Sequence, residues 1–523
     1  MIGTRTSLHI PERTCIVLLD LDHISFAEAL GRWLSIARRM TSREKGNTPM
    51  ATDIASEIER GTDYLERILE RTPTTRVATF GHGVMSDLGS LIVANHGAAT
   101  VVCVADETTW SVAGTPVLAS LMDSALTVAP AIILPARPRP YADIDLVHRV
   151  RDALAAHPGA LPIALGSGTL NDAVKLASAE LETPYWVVGT APSMDGYTAA
   201  GASISRDGFK QNIPCPAPYG VVMDLDVLQT APQPMWASGF GDMIGKISAL
   251  ADWRVADAMG VETIDPWVWD LAKQSAVDAL SNPSGVGSRD PEALPSLTVG
   301  LLMSGLSIQA YNSSRPGSGA EHMFSHLWEM EHVGLQLDPP LSHGAKVGIG
   351  SYLVAAFYDV LLDQDLTQLD VRTRCQSWPP LESELSLVTA LHGDSPLASV
   401  AASQLPLKYP HPAELERRLR AARDVWPSLR VELRGLMKPA RDIRDHLIRA
   451  KAHHHPHQIG LSLEQTQADF LRLRSTRDRY TSVDLAAETG CLPAIIADLF
   501  TPSSILRDDV PTIPTLSEEN GPS

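Results

Sequence analysis

The spacing of apolar and polar positions changes character twice along the chain. At the start, ISFAEALGRWLSIARRM and MATDIASEIERGTDYLERILE place apolar residues three and four apart, the period of an amphipathic helix. SREKGNTP between them reads as a loop. Residues 1–70 are therefore expected to be a helical extension without chemistry of its own. From about residue 75 short apolar runs take over: RVATFGHG, TVVCVADETTW, TVAPAIILPA, ALPIALG and PYWVVG read as strands. MSDLGSLIVANHG, VLASLMDSAL, DIDLVHRVRDALAAH and TLNDAVKLASAEL between them read as helices. Strands alternating with helices predict an α/β domain, a mostly parallel sheet covered on both faces, over residues 71–230. DGFKQNIPCPAP reads as a turn-rich hairpin, and YGVVMDLDVLQTAP as the last strand. Beyond residue 230 the period stays helical, predicting an all-helical domain over 231–507 and a disordered tail over 508–523. Within it SLTVGLLMSGLSIQAY is apolar nearly all round, which predicts burial in the helical bundle.

Length and charge narrow the function. A chain of 523 residues is long enough for two to four domains. Its net charge of −18 is spread along the sequence, which argues against binding a nucleic acid backbone but leaves room for a small phosphorylated substrate at a local basic site. The 5 cysteines are widely spaced without a CxxC pair, so neither a disulfide framework nor a thiolate metal site is expected. No apolar run reaches the length of a membrane span, and the N-terminus lacks the apolar core of a signal peptide. The expected location is the cytoplasm.

The stretch GSGAEHMFSHLWEMEHVGLQLDPPLSHGAKVGIG carries the densest chemistry. His322 and His326 are four apart, hence on one face of a helix. His343 opens a second apolar run, and two helix segments joined by a loop can bring His322 and His343 to one ion. A catalytic metal needs about three protein ligands and an open position, so a third ligand, most simply Asp or Glu, must come from elsewhere. Asp242, near the expected start of a helix opening at Gly239, is the candidate; the alternative is a carboxylate that only complements the helix dipole. Lys246, one turn on, reads as its ion-pair partner or as a substrate ligand. Arg315, in SSRPGSG, reads as a grip for an anion or as a surface arginine. In the α/β part the turn Gly166-Ser167-Gly168-Thr169, with Asn171 and Asp172 in the helix that follows, can cradle a pyrophosphate on backbone amides. Asp106, beyond an earlier strand, can accept hydrogen bonds from a ribose, which favours NAD over NADP. Asp195, in the loop Ser193-Met194-Asp195-Gly196-Tyr197, lies where open sheets bind ligands. His453-His454-His455-Pro456-His457 reads as a solvated loop.

The motifs GSGTLND, TAPSMDGYTA, SGFGDMIGK, SGAEHMFSH and HGAKVGIG, in this order, resemble the glycerol-1-phosphate dehydrogenase family. That family lies within the superfamily of iron-containing alcohol dehydrogenases, glycerol dehydrogenases and dehydroquinate synthases. RYTSVDLAAETG, from Arg479 to Gly490, is similar to the ending of its bacterial branch. The resemblance covers about residues 75–495. It implies a Rossmann-like NAD(P)(H)-binding domain followed by an all-helical metal and substrate domain, as in dehydroquinate synthase. Asp106 would hold the adenosine ribose and Gly166, Ser167, Gly168 and Thr169 the pyrophosphate, with Asp172 beside them and Thr190 and Ser193 nearer the nicotinamide. Asp242, His322 and His343 would hold one divalent metal, usually zinc, with nickel or iron as alternatives. Asp195 would hold substrate hydroxyls and the proton path, and His326 would contact substrate. Lys210, Lys246 and Arg315 are the candidates for the substrate phosphate. The implied reaction interconverts dihydroxyacetone phosphate and sn-glycerol 1-phosphate in a homodimeric enzyme. Gly189, where relatives commonly have proline, and the unusual length depart from the pattern. The glycine should leave the loop usable; the N-terminal helices and the length admit another small phosphorylated or phosphonate ketone as substrate. A cyclase that uses NAD without net redox is a sister option, but the histidine motif here lacks the asparagine–phenylalanine pair that such cyclases carry before Gly-His.

Overall fold

The computed structural model describes residues 14–18, 71, 72, 74–206, 209–337, 339–393, 395 and 397–507. Both expected N-terminal helices and the tail from residue 508 lie outside these residues. The chain divides into two compact units: Met1–Asp207 with Gln211–Pro232 and Arg289–Ser313, and Gly208–Lys210 with Gln233–Ser288 and Ser314–Ser523.

The first unit is built on strands β1 (Thr14–Leu18), β2 (Val77–Gly81), β3 (Thr100–Asp106), β4 (Thr127–Val128), β5 (Ile132–Leu134), β6 (Leu161–Gly166), β7 (Trp186–Gly189), β8 (Ala202–Arg206), β9 (Phe209–Ile213) and β10 (Gly220–Asp224). The sheet order is β1-β2-β10-β7-β6-β3-β4, with β5 also on β3, and β8 and β9 form a separate pair. Within the larger sheet pairing is parallel except for β1 against β2, and β1 is a strand inside the 1–70 stretch expected to be helical. Consecutive residues of β2, β6, β7 and β10 are all buried, so both faces of the sheet are covered and the strands read as unbroken apolar runs. Helices α1 (Leu88–His96), α2 (Glu107–Met122), α3 (Ile144–Ala155), α4 (Gly168–Glu180) and α5 (Leu225–Thr230) fill the connections. Leu88, Ile92, Val117 and Leu121 from α1 and α2 pack on Val101, Cys103, Ile163 and Trp186 of the sheet. This is the expected Rossmann-like unit, with local differences. The run TVAPAIILPA forms two short strands, not one, and α2 begins at Glu107, directly after β3. The early start has a clear cause. Asp106 accepts from Thr109 N at 2.8 Å, and Thr109 Oγ1 accepts from Asp106 N at 3.1 Å, a reciprocal capping box that starts the helix there.

The second unit is helical. It opens with α6 (Gln233–Ala258), α7 (Pro266–Ala279) and α8 (Pro283–Ser288). The chain then returns to the first unit for α9 (Leu294–Tyr311), the apolar helix expected in the helical bundle. Its small residues explain the placement. A side chain at Gly305 would meet Asp195 O at 2.4 Å and Thr198 Oγ1 at 2.3 Å, so the helix backbone lies directly on the 195–199 loop. The stretch Pro291–Tyr311 is long and apolar enough to cross a membrane, with a mean hydropathy of 1.3, but 72% of it is buried inside the protein. α10 (Ala320–Met330), α11 (His343–Leu361) and further helices out to Leu499 complete the second unit.

Glycines set the contact between α6 and α11. A Cβ at Gly241 would sit 2.2 Å from Gly344 O, and one at Gly344 only 1.8 Å from Ser238 O. Gly348 approaches Gly241 Cα, and Gly245 faces Val347. Each helix thus offers two glycines one turn apart, and the backbones touch where other helix pairs are held apart by side chains. Gly344→Ala is expected to lower stability by about 1–3 kcal/mol or more, because the clash is with backbone and cannot be relieved by a rotamer change. A lower denaturation midpoint with an unchanged m-value would register it.

Candidate active site

In the second unit Asp242, His322 and His343 each present a ligand atom within 4.8 Å of the others. Asp242 lies well inside α6, since the helix begins at Gln233 and not at Gly239; it is fully buried and is not a helix cap. His322 is in the first turn of α10, and His343 is the first residue of α11, behind the capping Ser342. Both imidazoles are braced from behind. His322 Nδ1 is 2.8 Å from Glu321 Oε1, and His343 Nδ1 is 2.9 Å from Glu329 Oε1. A carboxylate can only accept, so each Nδ1 carries the proton and each Nε2 lone pair is left for the shared centre. Burial opposes charge on Asp242, but Lys246 and the two histidines outweigh it and hold the carboxyl far below its usual range. Burial also opposes charge on His322, yet the neighbouring carboxylates of Asp242 and Glu321 raise its pKa. Two imidazoles and an ionised carboxylate, buried and pre-oriented, fit one borderline divalent ion with an open position.

The surrounding cations divide into two kinds. Lys246 Nζ is buried and donates to Asp242 Oδ1 at 2.9 Å and to Gly317 O at 3.0 Å. Arg315 is fully buried; it donates to Tyr480 O and Asp252 O, both at 2.9 Å, and its Nε lies 3.3 Å from Glu262. Neither cation can reach a substrate without stripping buried partners, so the phosphate role expected of both gives way to a structural one. Lys210 differs: it is partly exposed and 2.8 Å from Glu329 Oε2, the carboxylate that braces His343. His326 turns its ring toward both ligand histidines, with centroids 6.4 Å from each. Burial first, then the charge of Arg477, keeps its pKa well below the ordinary value, so it is neutral. Arg477, which the sequence reading passed over, approaches His326 Nε2 at 3.4 Å. The bracing Glu321 and Glu329 were also missed, although their adjacency to histidines was visible in EHMFSHLWE.

In the first unit the Gly166–Thr169 turn joins β6 to α4, with Ser167 in the N-cap position. No side chain caps this helix and no acidic residue stands in its first turn, so its leading amides are open to an anion. Asp106 uses Oδ1 for the α2 cap. Asp172 is drawn elsewhere: Oδ2 accepts from Ser203 N at 3.1 Å and Oδ1 lies 3.4 Å from Lys175, so it ties α4 to β8 and its expected place beside the cofactor gives way to a structural one. Thr190 N donates to Gly166 O at 3.2 Å and Ser193 N to Ala191 O at 3.0 Å, which places the 190–193 segment beside the glycine turn. Asp195 Oδ2 accepts from Ser304 Oγ of α9 at 2.8 Å. Buried Lys175 donates to the carbonyls of Gly196, Ala199 and Gly201, each at 3.0 Å, and fixes this loop from below. The His453–His457 stretch is not the solvated loop expected of it. His455 is buried, and its Nε2 bonds Leu506 O at 3.0 Å.

Because the histidines are held through their carboxylates, Glu329→Gln and Glu321→Gln are each expected to weaken zinc binding about 10–100-fold. Competition against a chromogenic chelator measures this; unchanged affinity in both variants would contradict the bracing role.

Residues 79–232 match the family model for iron-containing alcohol dehydrogenase. A glycerol-1-phosphate dehydrogenase [NAD(P)+] of Halalkalibacterium halodurans is 39% identical over 196 residues, 38% of this chain and 49% of the relative. One of Bacillus licheniformis is 34% identical over 262 residues, 50% of this chain and 65% of the relative. The chain thus matches about half the length of its first curated relatives. Among solved structures, the NADH-dependent butanol dehydrogenase A of Thermotoga maritima superposes with a TM-score of 0.51 at 13% identity, over 82% of this chain and 96% of that one. The family model and the run of like-named relatives lead to one conclusion: the chain belongs to the iron-containing alcohol dehydrogenase and glycerol dehydrogenase superfamily.

Proposed function

We propose that the chain is a metal-dependent, NAD(P)-dependent oxidoreductase that interconverts dihydroxyacetone phosphate and sn-glycerol 1-phosphate. The observation that carries this reading is the Asp242–His322–His343 cluster with both imidazoles braced by carboxylates. The glycerol-1-phosphate dehydrogenase names of the relatives support the substrate. A divalent ion on these three side chains, zinc first and nickel or iron as alternatives, supplies Lewis acidity toward a carbonyl oxygen. A nicotinamide cofactor held at the Gly166–Thr169 turn would supply the hydride chemistry.

The chain's own residues do the rest. Glu321 and Glu329 keep the imidazoles aimed, so little reorganisation is needed at the moment of reaction. Neutral His326, with Nε2 as an acceptor, would hold a substrate hydroxyl and its proton in the second unit; Asp195 is fixed by Ser304 within the first. Of the three cations expected for the phosphate, Lys210 is the one that stays partly exposed. The amides of Gly168 and Thr169 receive the pyrophosphate, and Thr190 and Ser193 line the nicotinamide side. The two glycines of this turn have different reasons. A Cβ at Gly166 would strike Leu170 at 2.6 Å, whereas one at Gly168 meets nothing of the protein nearer than 3.6 Å, which leaves close approach by a ligand as its reason. Asp106 is held by the α2 cap and cannot swing aside for a 2′-phosphate without breaking it, which favours NAD(H).

The zinc-loaded protein, mixed with NADH and dihydroxyacetone phosphate, is expected to consume cofactor at 340 nm and to yield the 1-phosphate enantiomer in a stereospecific assay. His322→Ala and Asp242→Ala are each expected to lower kcat/KM about a thousandfold or more. No turnover with any of the three metals would sink the assignment. Asp106→Ser is expected to shift the NADH-over-NADPH ratio of kcat/KM about tenfold toward NADPH; an unmoved ratio would remove Asp106 from the ribose.

A further inference from the structure

We propose that Arg477 is the side chain that receives the anionic group of the substrate beside the metal site, with Lys210 as its companion cation. The inference rests on the metal-site reading above and adds to it a residue that determines substrate choice.

The first ground is the comparison with its neighbours in RLRSTRDRY. Arg472 pairs with Asp469 and Glu331, Arg474 with Glu384, and Arg479 with the carbonyls of Ser314 and Ser318. Arg477 has no such engagement among the described residues; its contact is His326 Nε2 at 3.4 Å, a long bond for a group with five donors. Arg477 as a residue is partly exposed, but its charged end is turned inward. Asp478, its exposed neighbour, attracts it through space without a hydrogen bond, and burial lowers its pKa. A cation kept partly out of water, next to a metal cluster and without a hydrogen-bonded counterion, is a poor choice for stability and a good one for receiving an anion.

The second ground is the local charge. Lys210, Lys346 and Arg477 gather around His326 and Glu329: Lys210 and Arg477 both act on His326, and Lys210 and Lys346 both act on Glu329. The carboxylates facing them are Glu329 and Asp478, so cations are in excess here, within a chain whose net charge is −18. An oxyanion with several oxygens can accept from the planar guanidinium in bidentate fashion and from Lys210 as a point charge. Arg477 would then leave His326 Nε2, and that lone pair becomes available to a substrate hydroxyl.

The test uses the zinc-loaded full chain and the variants R477M and R477K. The readout is the ratio of kcat/KM for dihydroxyacetone phosphate to kcat/KM for dihydroxyacetone. R477M is expected to lower this preference for the phosphorylated ketone about 10–100-fold, with R477K recovering part of it. An unchanged ratio in R477M overturns the proposal. Bound zinc and the melting temperature, measured for each variant, show that the protein is folded and loaded; R477K serves if R477M does not fold. If the wild type reduces neither ketone, the dehydrogenase reading fails separately, and titration calorimetry with inorganic phosphate decides about Arg477. Binding by the wild type that weakens tenfold or more in R477M sustains the anion site. Equal binding, or none by the wild type, overturns it.

Discussion

The candidate metal site depends first on how closely two helices can approach. Asp242 is on α6 and His343 opens α11, and both flank the contact where Gly241 and Gly344 let the backbones touch. With ordinary side chains there, the axes would separate toward the usual 8–10 Å and the carboxylate and imidazole could not address one ion. The close contact also buries Asp242 completely, which raises the cost of its charge. Lys246, one turn along the same face, answers that charge. A buried pair of this kind is a weak source of stability, and its value here is that it holds a carboxylate ionised in a fixed place.

The same region is tied to the end of the chain through Asp252. Its carboxylate accepts from Ala320 N at 2.7 Å, Tyr358 Oη at 2.7 Å and Ser482 N at 2.9 Å. One side chain of α6 thereby fixes the start of α10, which carries His322, the body of α11, and the helix Ser482–Thr489. Arg315, bonded to the carbonyls of Asp252 and Tyr480, closes the same knot. The Arg479–Gly490 segment is thereby bonded to the helices that carry the Asp242–His322–His343 cluster, and Arg477, just before it, lies against His326 of α10.

In the first unit the comparable constraint is the loop after β7. Lys175 holds its carbonyls from α4, and α9 holds it through Ser304, Leu302 O and Gln309, the last bonding Thr198 O and Thr75. Asp195 thus sits on a loop with little freedom, which is what a group that must hold a hydroxyl in register requires.

Much of this was legible in the sequence. The alternation of strand and helix periods, the glycine turn before α4 and the four-residue spacing of His322 and His326 are local patterns, fixed by the repeat of the backbone itself. Their chemistry could be read because a helix or a strand–turn–helix leaves little choice of placement. The fate of the cations was not legible. Lys210, Lys246, Arg315 and Arg477 look alike along the chain, and only burial and distant partners separate them: Arg315 meets Tyr480 and Arg477 meets His326 across more than a hundred residues. The same holds for Ser304 on Asp195 and for α9, an apolar helix whose neighbours are set by the glycine it exposes. The sequence determined which residue types could hold a metal, a nucleotide and an anion; the tertiary structure decided which of them remain accessible, because desolvation and long-range pairing depend on surfaces that exist only after folding.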